Sequence, residues 1–318
     1  MTRPLSLEIL VDDDDEATVV EPSPLVHAEL TGLVAARALI PEPARAPAPR
    51  GRIVVVFGCK GGVGATTLAV NLGVAAAGRL ARGAVVVDFD VQMGDALGAL
   101  DLKPGTLLGE LVGQVGELET PALRRRLAVH RSGVCVVSQA GRLEALGTLE
   151  LEQARELLCV LSRHFDAVVV DGVADFGDLA LAALDVADTV VLVVTQDVAA
   201  LRRAARCVSV LRRLRVPEHK LALVVNRHAR RGGVRVGMIA EVLALPVAAR
   251  VANDFPTVMR AIDGGRPLAE AAPRARVTRD VATLARRLLT EPPGRAPAAR
   301  TSFFRRLFGR KARSRGAP

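Results

Sequence analysis

The stretch Gly58-Cys59-Lys60-Gly61-Gly62-Val63-Gly64-Ala65-Thr66-Thr67 constrains the fold of this chain more than any other. It follows an apolar run, Ile53 to Phe57, and precedes a segment with helical patterning, Leu68 to Leu80. A glycine-rich loop between strand and helix gathers backbone N–H groups at the positive end of the helix dipole, a concavity that suits a phosphate chain. Against the template G-x-x-x-x-G-K-[ST], Cys59 occupies the first glycine position and Ala65 the lysine position, while Thr66 keeps the hydroxyl suited to Mg²⁺. A different lysine, Lys60, stands early in the loop. A turn that merely joins strand to helix would also be rich in glycine, so the rest of the chain must separate the two readings.

From Arg52 onward, short apolar runs alternate with helical patterns. Strands are expected at 53–57, 84–88, 133–138, 167–171, 189–194, 220–225 and 247–251, and helices at segments such as 66–80, 149–164, 198–214 and 276–289. The strand candidates are continuous and Val-rich, as in a parallel sheet buried on both faces. The expected fold is therefore a doubly wound α/β domain, with a mainly parallel sheet, helices on both faces and ligands at the carboxyl ends of the strands. Aromatics make up 3% of the 318 residues, with no Trp or Tyr, so the core must be Ala, Val and Leu.

Three regions are expected. Residues 1–50 form an acidic, Pro-rich arm with the run Asp12 to Glu16; its segment 25–40 reads as a docking helix or as a weakly ordered stretch. Residues 51–290 form the α/β domain. Residues 291–318 form a basic linker and tail.

Several strands end in polar residues at the edge where such a fold builds its site. Val87 leads into Asp88-Phe89-Asp90, Val170 into Asp171-Gly172, Val194 into Thr195-Gln196-Asp197, and Val225 into Asn226-Arg227. A carboxylate there can hold Mg²⁺ through water, a second can orient an attacking water, and an amide can read a purine edge. Any one of them could be a helix cap. Four in sequence with the glycine loop point to a nucleotide site.

Composition narrows the alternatives. Cys59, Cys135, Cys159 and Cys207 are scattered, with no C-x-x-C pair, which argues against zinc, an iron–sulfur cluster or a disulfide framework and fits a reduced cytoplasmic setting. No secretory signal and no membrane span are expected. The net charge is +9, but residues 291–318 hold eight basic residues against Glu291, leaving +2 for the remainder. On that division the basic character belongs to the tail, and nucleic acid is disfavoured as a partner of the body.

The stretch Lys60 to Thr67 resembles the deviant Walker A motif of the MinD/ParA ATPase superfamily. Within it, Val87-Asp88-Phe89-Asp90-Val91-Gln92-Met93-Gly94-Asp95, Leu100-Asp101-Leu102-Lys103-Pro104, Val225-Asn226-Arg227, Asn253-Asp254-Phe255-Pro256 and Gly264-Gly265-Arg266-Pro267-Leu268 resemble the CpaE/TadZ group associated with Tad-type pilus assembly. The resemblance implies an ATP- and Mg²⁺-dependent homodimer serving pilus or secretion machinery. It implies a nucleotide site over Lys60, Gly61, Gly62, Val63, Gly64, Ala65, Thr66 and Thr67. Lys60 would reach phosphate across the dimer, Thr66 would ligate Mg²⁺ and Thr67 would contact phosphate. Asp88 would lie near the metal, Asp90 would position water, Asp171 would be the Walker B carboxylate, and Asn226 would contact adenine. Ala65 departs from the pattern by removing the lysine that grips the β- and γ-phosphates, so any hydrolysis is expected to be weak. A receiver-like domain found in many CpaE-like proteins does not fit into fifty residues.

In the tail, Phe303, Phe304, Leu307 and Phe308 fall on one side of a helix, with Arg305, Arg306, Arg310 and Arg313 mostly on the other. Such a segment is too short to be helical in water, and would fold where its apolar side enters an anionic lipid interface. Each arginine would add about 1 kcal/mol near the surface. It resembles the membrane-targeting tail of MinD; the bland alternative is a disordered basic tail or one that binds nucleic acid. The function expected is an ATP-dependent localisation factor, peripheral at the inner face of the cell membrane. A partitioning ATPase, a division-site regulator and a non-hydrolysing nucleotide-sensing scaffold are the alternatives.

Overall fold

The computed structural model describes residues 50–289, apart from 113, 115–118, 140–148 and 232. The expected helix at 25–40, the linker segments and the apolar tail residues Phe303, Phe304, Leu307 and Phe308 lie outside the described residues.

Eight strands form one sheet: β1 (Arg52–Gly58), β2 (Ala84–Asp88), β3 (Ala128–Val129), β4 (Cys135–Val137), β5 (Ala167–Val173), β6 (Thr189–Val194), β7 (Leu221–His228) and β8 (Val247–Ala252). Their order is β3-β4-β2-β5-β1-β6-β7-β8. All neighbours are parallel except β3 and β4. This is the doubly wound fold expected. The two-residue β3 is too short to show as an apolar run and was not foreseen.

Alternation of side chains sends the same strands into two cores. Ile53, Val55 and Phe57 of β1 pack with Val168 and Val170 of β5 and with Val190, Leu192 and Val194 of β6 on one face. That face is covered by α4 (Leu151–His164), α5 (Asp178–Val186), α6 (Val198–Arg213) and α7 (Val236–Leu243). Val54, Val56, Val86, Val169 and Val191 point the other way. There they meet α1 (Ala65–Ala77), α8 (Phe255–Asp263), α9 (Leu268–Ala271) and α10 (Arg276–Leu289). The short helices α2 (Leu108–Leu111) and α3 (Thr120–Arg126) close the β4 side of the first face. Among the described residues no helix is long and apolar enough to cross a membrane.

The central strand β1 lies between β5 and β6, where the winding reverses direction. The loops leaving β1, β2, β5, β6 and β7 therefore converge on one crevice at their carboxyl ends.

Candidate functional site

The glycine loop leaves β1 and enters α1 at Gly64, whose φ of +87° belongs to the left-handed region that an L side chain rarely adopts. No side chain caps this helix, so its first N–H groups remain available to an anion. A Cβ on Gly64 would also stand 2.6 Å from Nδ2 of Asn226. That amide donates to the Val63 carbonyl at 2.7 Å and ties β7 to the loop. Cys59, at the first glycine position, is buried, and its thiol shares a hydrogen bond with Cys207 of α6. That contact first, and burial second, push its pKa up.

The acidic corner of the crevice comes from adjacent strands. The register of β2 on β5 places Asp88 directly opposite Asp171, and both are buried. Asp88 Oδ1 accepts from the Asp90 N–H at 3.1 Å and Oδ2 from the Ala96 N–H at 3.2 Å. Burial, then the charge of Asp171, raises its pKa from 3.8 to about 7. Burial likewise raises Asp171 from 3.8 to about 6, against hydrogen bonds from the Gly172 N–H and the Thr66 hydroxyl. Asp171 Oδ1 has no hydrogen-bond partner among the described residues.

A buried orphan carboxylate oxygen beside a threonine hydroxyl could hold a cation. Among the described residues no group of three or more His, Cys, Asp and Glu could cage a metal alone. That fits Mg²⁺, which is bound through one or two carboxylates with water and phosphate oxygens supplying the rest. Asp90 is exposed, and its Oδ1 accepts from the Met93 N–H at 2.9 Å.

The opposite rim is cationic. Lys60 Nζ lies 3.4 Å from Asp197 Oδ1. Asp197 also accepts from the Thr195 hydroxyl at 2.6 Å and caps α6 through the Ala200 N–H at 2.8 Å. The Thr195 hydroxyl is the largest of the contacts that hold its carboxyl below the usual range. Lys60, Gly61, Gly62, Val63, Thr195, Gln196, Asp197, Arg227 and Arg231 line this part of the crevice.

A second groove runs from Gly64 and Thr67 past Asn226 and Arg227 to Asn253 and Phe255. The β7–β8 pairing shifts register between Val225 and His228, and Arg227 has φ +49°. Such bulges re-aim side chains beside active sites. Here the bulge carries the Arg227 guanidinium to 5.9 Å from the centre of the half-exposed Phe255 ring.

The structure thus brings together Lys60, Gly61, Gly62, Val63, Gly64, Ala65, Thr66, Thr67, Asp88, Asp90, Asp171 and Asn226 around one crevice. The roles of Asp197, Arg227 and Phe255 were not assigned from sequence, although all three lie in stretches the sequence singles out.

Residues 51–221 match the AAA_31 family, described as an AAA domain. The chain belongs to that family. An uncharacterized ATP-binding protein of Methanocaldococcus jannaschii is 25% identical over 266 residues, 81% of this chain and 97% of that protein. A ParA family ATPase from Chlorobium tepidum has the same fold with a TM-score of 0.69 at 19% identity, covering 74% of this chain and 98% of that one. The septum site-determining protein MinD of Pyrococcus horikoshii, solved with Mg-ADP, gives a TM-score of 0.63 at 20% identity over 74% and 95%. Family and fold together place the chain in the MinD/ParA superfamily of ATPases.

Proposed function

We propose that the protein binds ATP with Mg²⁺ in the loop 58–67 and acts as a nucleotide-switched, dimerising localisation factor at a membrane. The unpartnered Asp171 Oδ1 beside the Thr66 hydroxyl, at the mouth of a loop whose helix has no side-chain cap, carries this reading. When bound, the metal would neutralise phosphate charge; Thr66 and Asp171 would hold it, with Asp88 behind them. The phosphates would rest on the loop N–H groups. The base would enter the groove of Asn226, Arg227 and Phe255, where a guanidinium and a ring offer stacking surfaces. Asp90, open to solvent, would orient the attacking water.

Lys60 would exchange Asp197 for phosphate on the other subunit. A partly exposed ion pair is worth about 0–1 kcal/mol, whereas charge-assisted contacts to phosphate are stronger, so the exchange is favourable. The M. jannaschii relative is named as ATP-binding and the P. horikoshii MinD was solved with Mg-ADP, which supports the ligand. A place in Tad-type pilus or secretion assembly rests on the Asp88 to Asp95 stretch and its resemblance to the CpaE/TadZ group. Membrane attachment rests on the apolar side of the tail, Phe303, Phe304, Leu307 and Phe308.

Calorimetric titration of ATP with Mg²⁺ tests the site. Thr66→Ala and Asp171→Ala should each weaken binding at least about tenfold, the loss of one charge-assisted contact. Equal affinity in wild type and both variants would sink the assignment. Ala65 favours a second reading, a nucleotide sensor that dimerises without turnover. Phosphate release measured with and without anionic vesicles separates the two: an ATP-dependent dimer that releases none supports the sensor.

A further inference from the structure

The basic excess of this chain is not confined to its tail. The +2 left outside residues 291–318 combines an arm of −5 over residues 1–50 with a body of +7 over residues 51–290. The body's excess is concentrated in turn. Residues 198–235 hold eleven Lys and Arg against a single acidic residue, Glu218.

Much of that charge lies on α6, which contains no Asp or Glu. Its apolar side, Ala200, Leu201, Ala204, Val208 and Leu211, is buried on the sheet. Arg202, Arg206, Ser209 and Arg213 recur at helical spacing on the opposite side and are exposed, with Arg203 flanking them. Arg212 has a partner, Glu218, at 2.9 Å. Among the described residues no side-chain hydrogen bond or ion pair engages Arg202, Arg206 or Arg213.

We propose that this arginine face is the docking surface for the chain's own acidic run, Asp12-Asp13-Asp14-Asp15-Glu16. The charges are complementary in sign, with Arg202, Arg203, Arg206 and Arg213 facing a run of five carboxylates. The position also fits. Arg50, where the arm meets the domain, is fixed to Asp188 by a two-pronged ion pair at 2.8 and 3.0 Å, at the start of β6. Because α6 returns from the carboxyl end of β6 to the amino end of β7, its last turn lies at that same pole of the sheet. Thirty-three residues separate Glu16 from Arg50. A chain of that length can reach well beyond the ~24 Å covered by the sixteen residues of α6. The basic tail also offers arginines. Those of α6 are held in one array by a packed helix, so pairing with them forfeits less conformational freedom. Docking would cover this strongly basic face and keep other polyanions off it.

Arginine footprinting of the full chain with phenylglyoxal, read by mass spectrometry, tests the contact. The comparison is between wild type and a variant with Asp12→Asn, Asp13→Asn, Asp14→Asn, Asp15→Asn and Glu16→Gln. At low salt, labelling of Arg202, Arg206 and Arg213 should rise about threefold or more in the variant, and the difference should vanish at high salt, where such contacts are screened. Arg212 is the internal reference and should not change. Equal labelling of the α6 arginines in the two proteins overturns the proposal. So does protection that grows with protein concentration, which would place a second copy's arm there, and so does a change confined to the tail arginines. If random-sequence duplex DNA protects the face equally in both proteins, the face belongs to nucleic acid and the proposal is wrong.

Discussion

The two charged regions of this molecule are built in opposite ways. At the ends of β2 and β5, two carboxylates are buried face to face, and their surroundings push both pKa values up, to about 7 and about 6. On α6, arginines of one sign share a helix face and stay in water. Burial makes the acidic corner sensitive to every proton and every cation, because an unpaired charge in low dielectric is costly. Exposure makes the basic face nearly free to build and leaves its charge available to a large, multivalent partner. A binding site for a small ion and a docking face for a polyanion therefore need not resemble each other, although both are clusters of like charge.

The difference can be broken first at Gly172. Its φ is +78°, and a Cβ there would stand 2.1 Å from the Asp90 N and 2.7 Å from the Phe89 carbonyl carbon. Both neighbours are backbone and cannot swing aside. Gly172→Ala should lose roughly 3 kcal/mol or more in urea unfolding, combining a strained φ with overpacking. A loss within experimental error would show that the β2–β5 corner is looser than described.

A smaller effect of opposite sign is expected at Asp171. Asparagine can keep its oxygen on the Gly172 N–H and the Thr66 hydroxyl, and put its amide where Oδ1 has no partner. Because both carboxyl pKa values are raised by folding, the fold loses stability as pH rises from about 4 through 6 to 7. Asp171→Asn removes part of that penalty, so without nucleotide it should gain roughly 1–3 kcal/mol at pH 8 and little at pH 4. It should also lose Mg²⁺-dependent nucleotide binding. Denaturant midpoints at the two pH values decide this, and a variant less stable than wild type at pH 8 contradicts it.

The smallest effect belongs to the exposed face. Arg206→Ala should change stability by no more than about 0.5 kcal/mol, because an exposed charge makes only screened contacts, even with the acidic run docked. A thermal shift well beyond that would mean the arginine has a structural role that its exposure conceals.

Much of this was legible in the sequence. Val-rich runs located seven of the eight strands because a doubly covered parallel strand must be continuous and apolar. The loop was legible because left-handed positions such as Gly64 select glycine. Asp88 and Asp171 could be nominated as strand ends, but their direct opposition is a matter of register between strands far apart in the chain. Arg227 and Phe255 meet only because a bulge in β7 turns the arginine toward the start of α8. The charge of the body was misread by adding it to that of an arm with opposite sign.

One modest contact has a topological consequence. Arg52, at the start of β1, donates from Nη1 to the carbonyl of Leu288 near the end of α10 at 2.7 Å. Entry and exit of the domain are thus neighbours, at the amino pole of the sheet and away from the crevice. A short peptide bridge across that gap would close the domain into a ring, and the ring could be reopened at an exposed turn without crossing the core. In such a permuted protein the arm and tail would leave together from the new opening, and moving the pair to another face would show whether their position or only their presence matters.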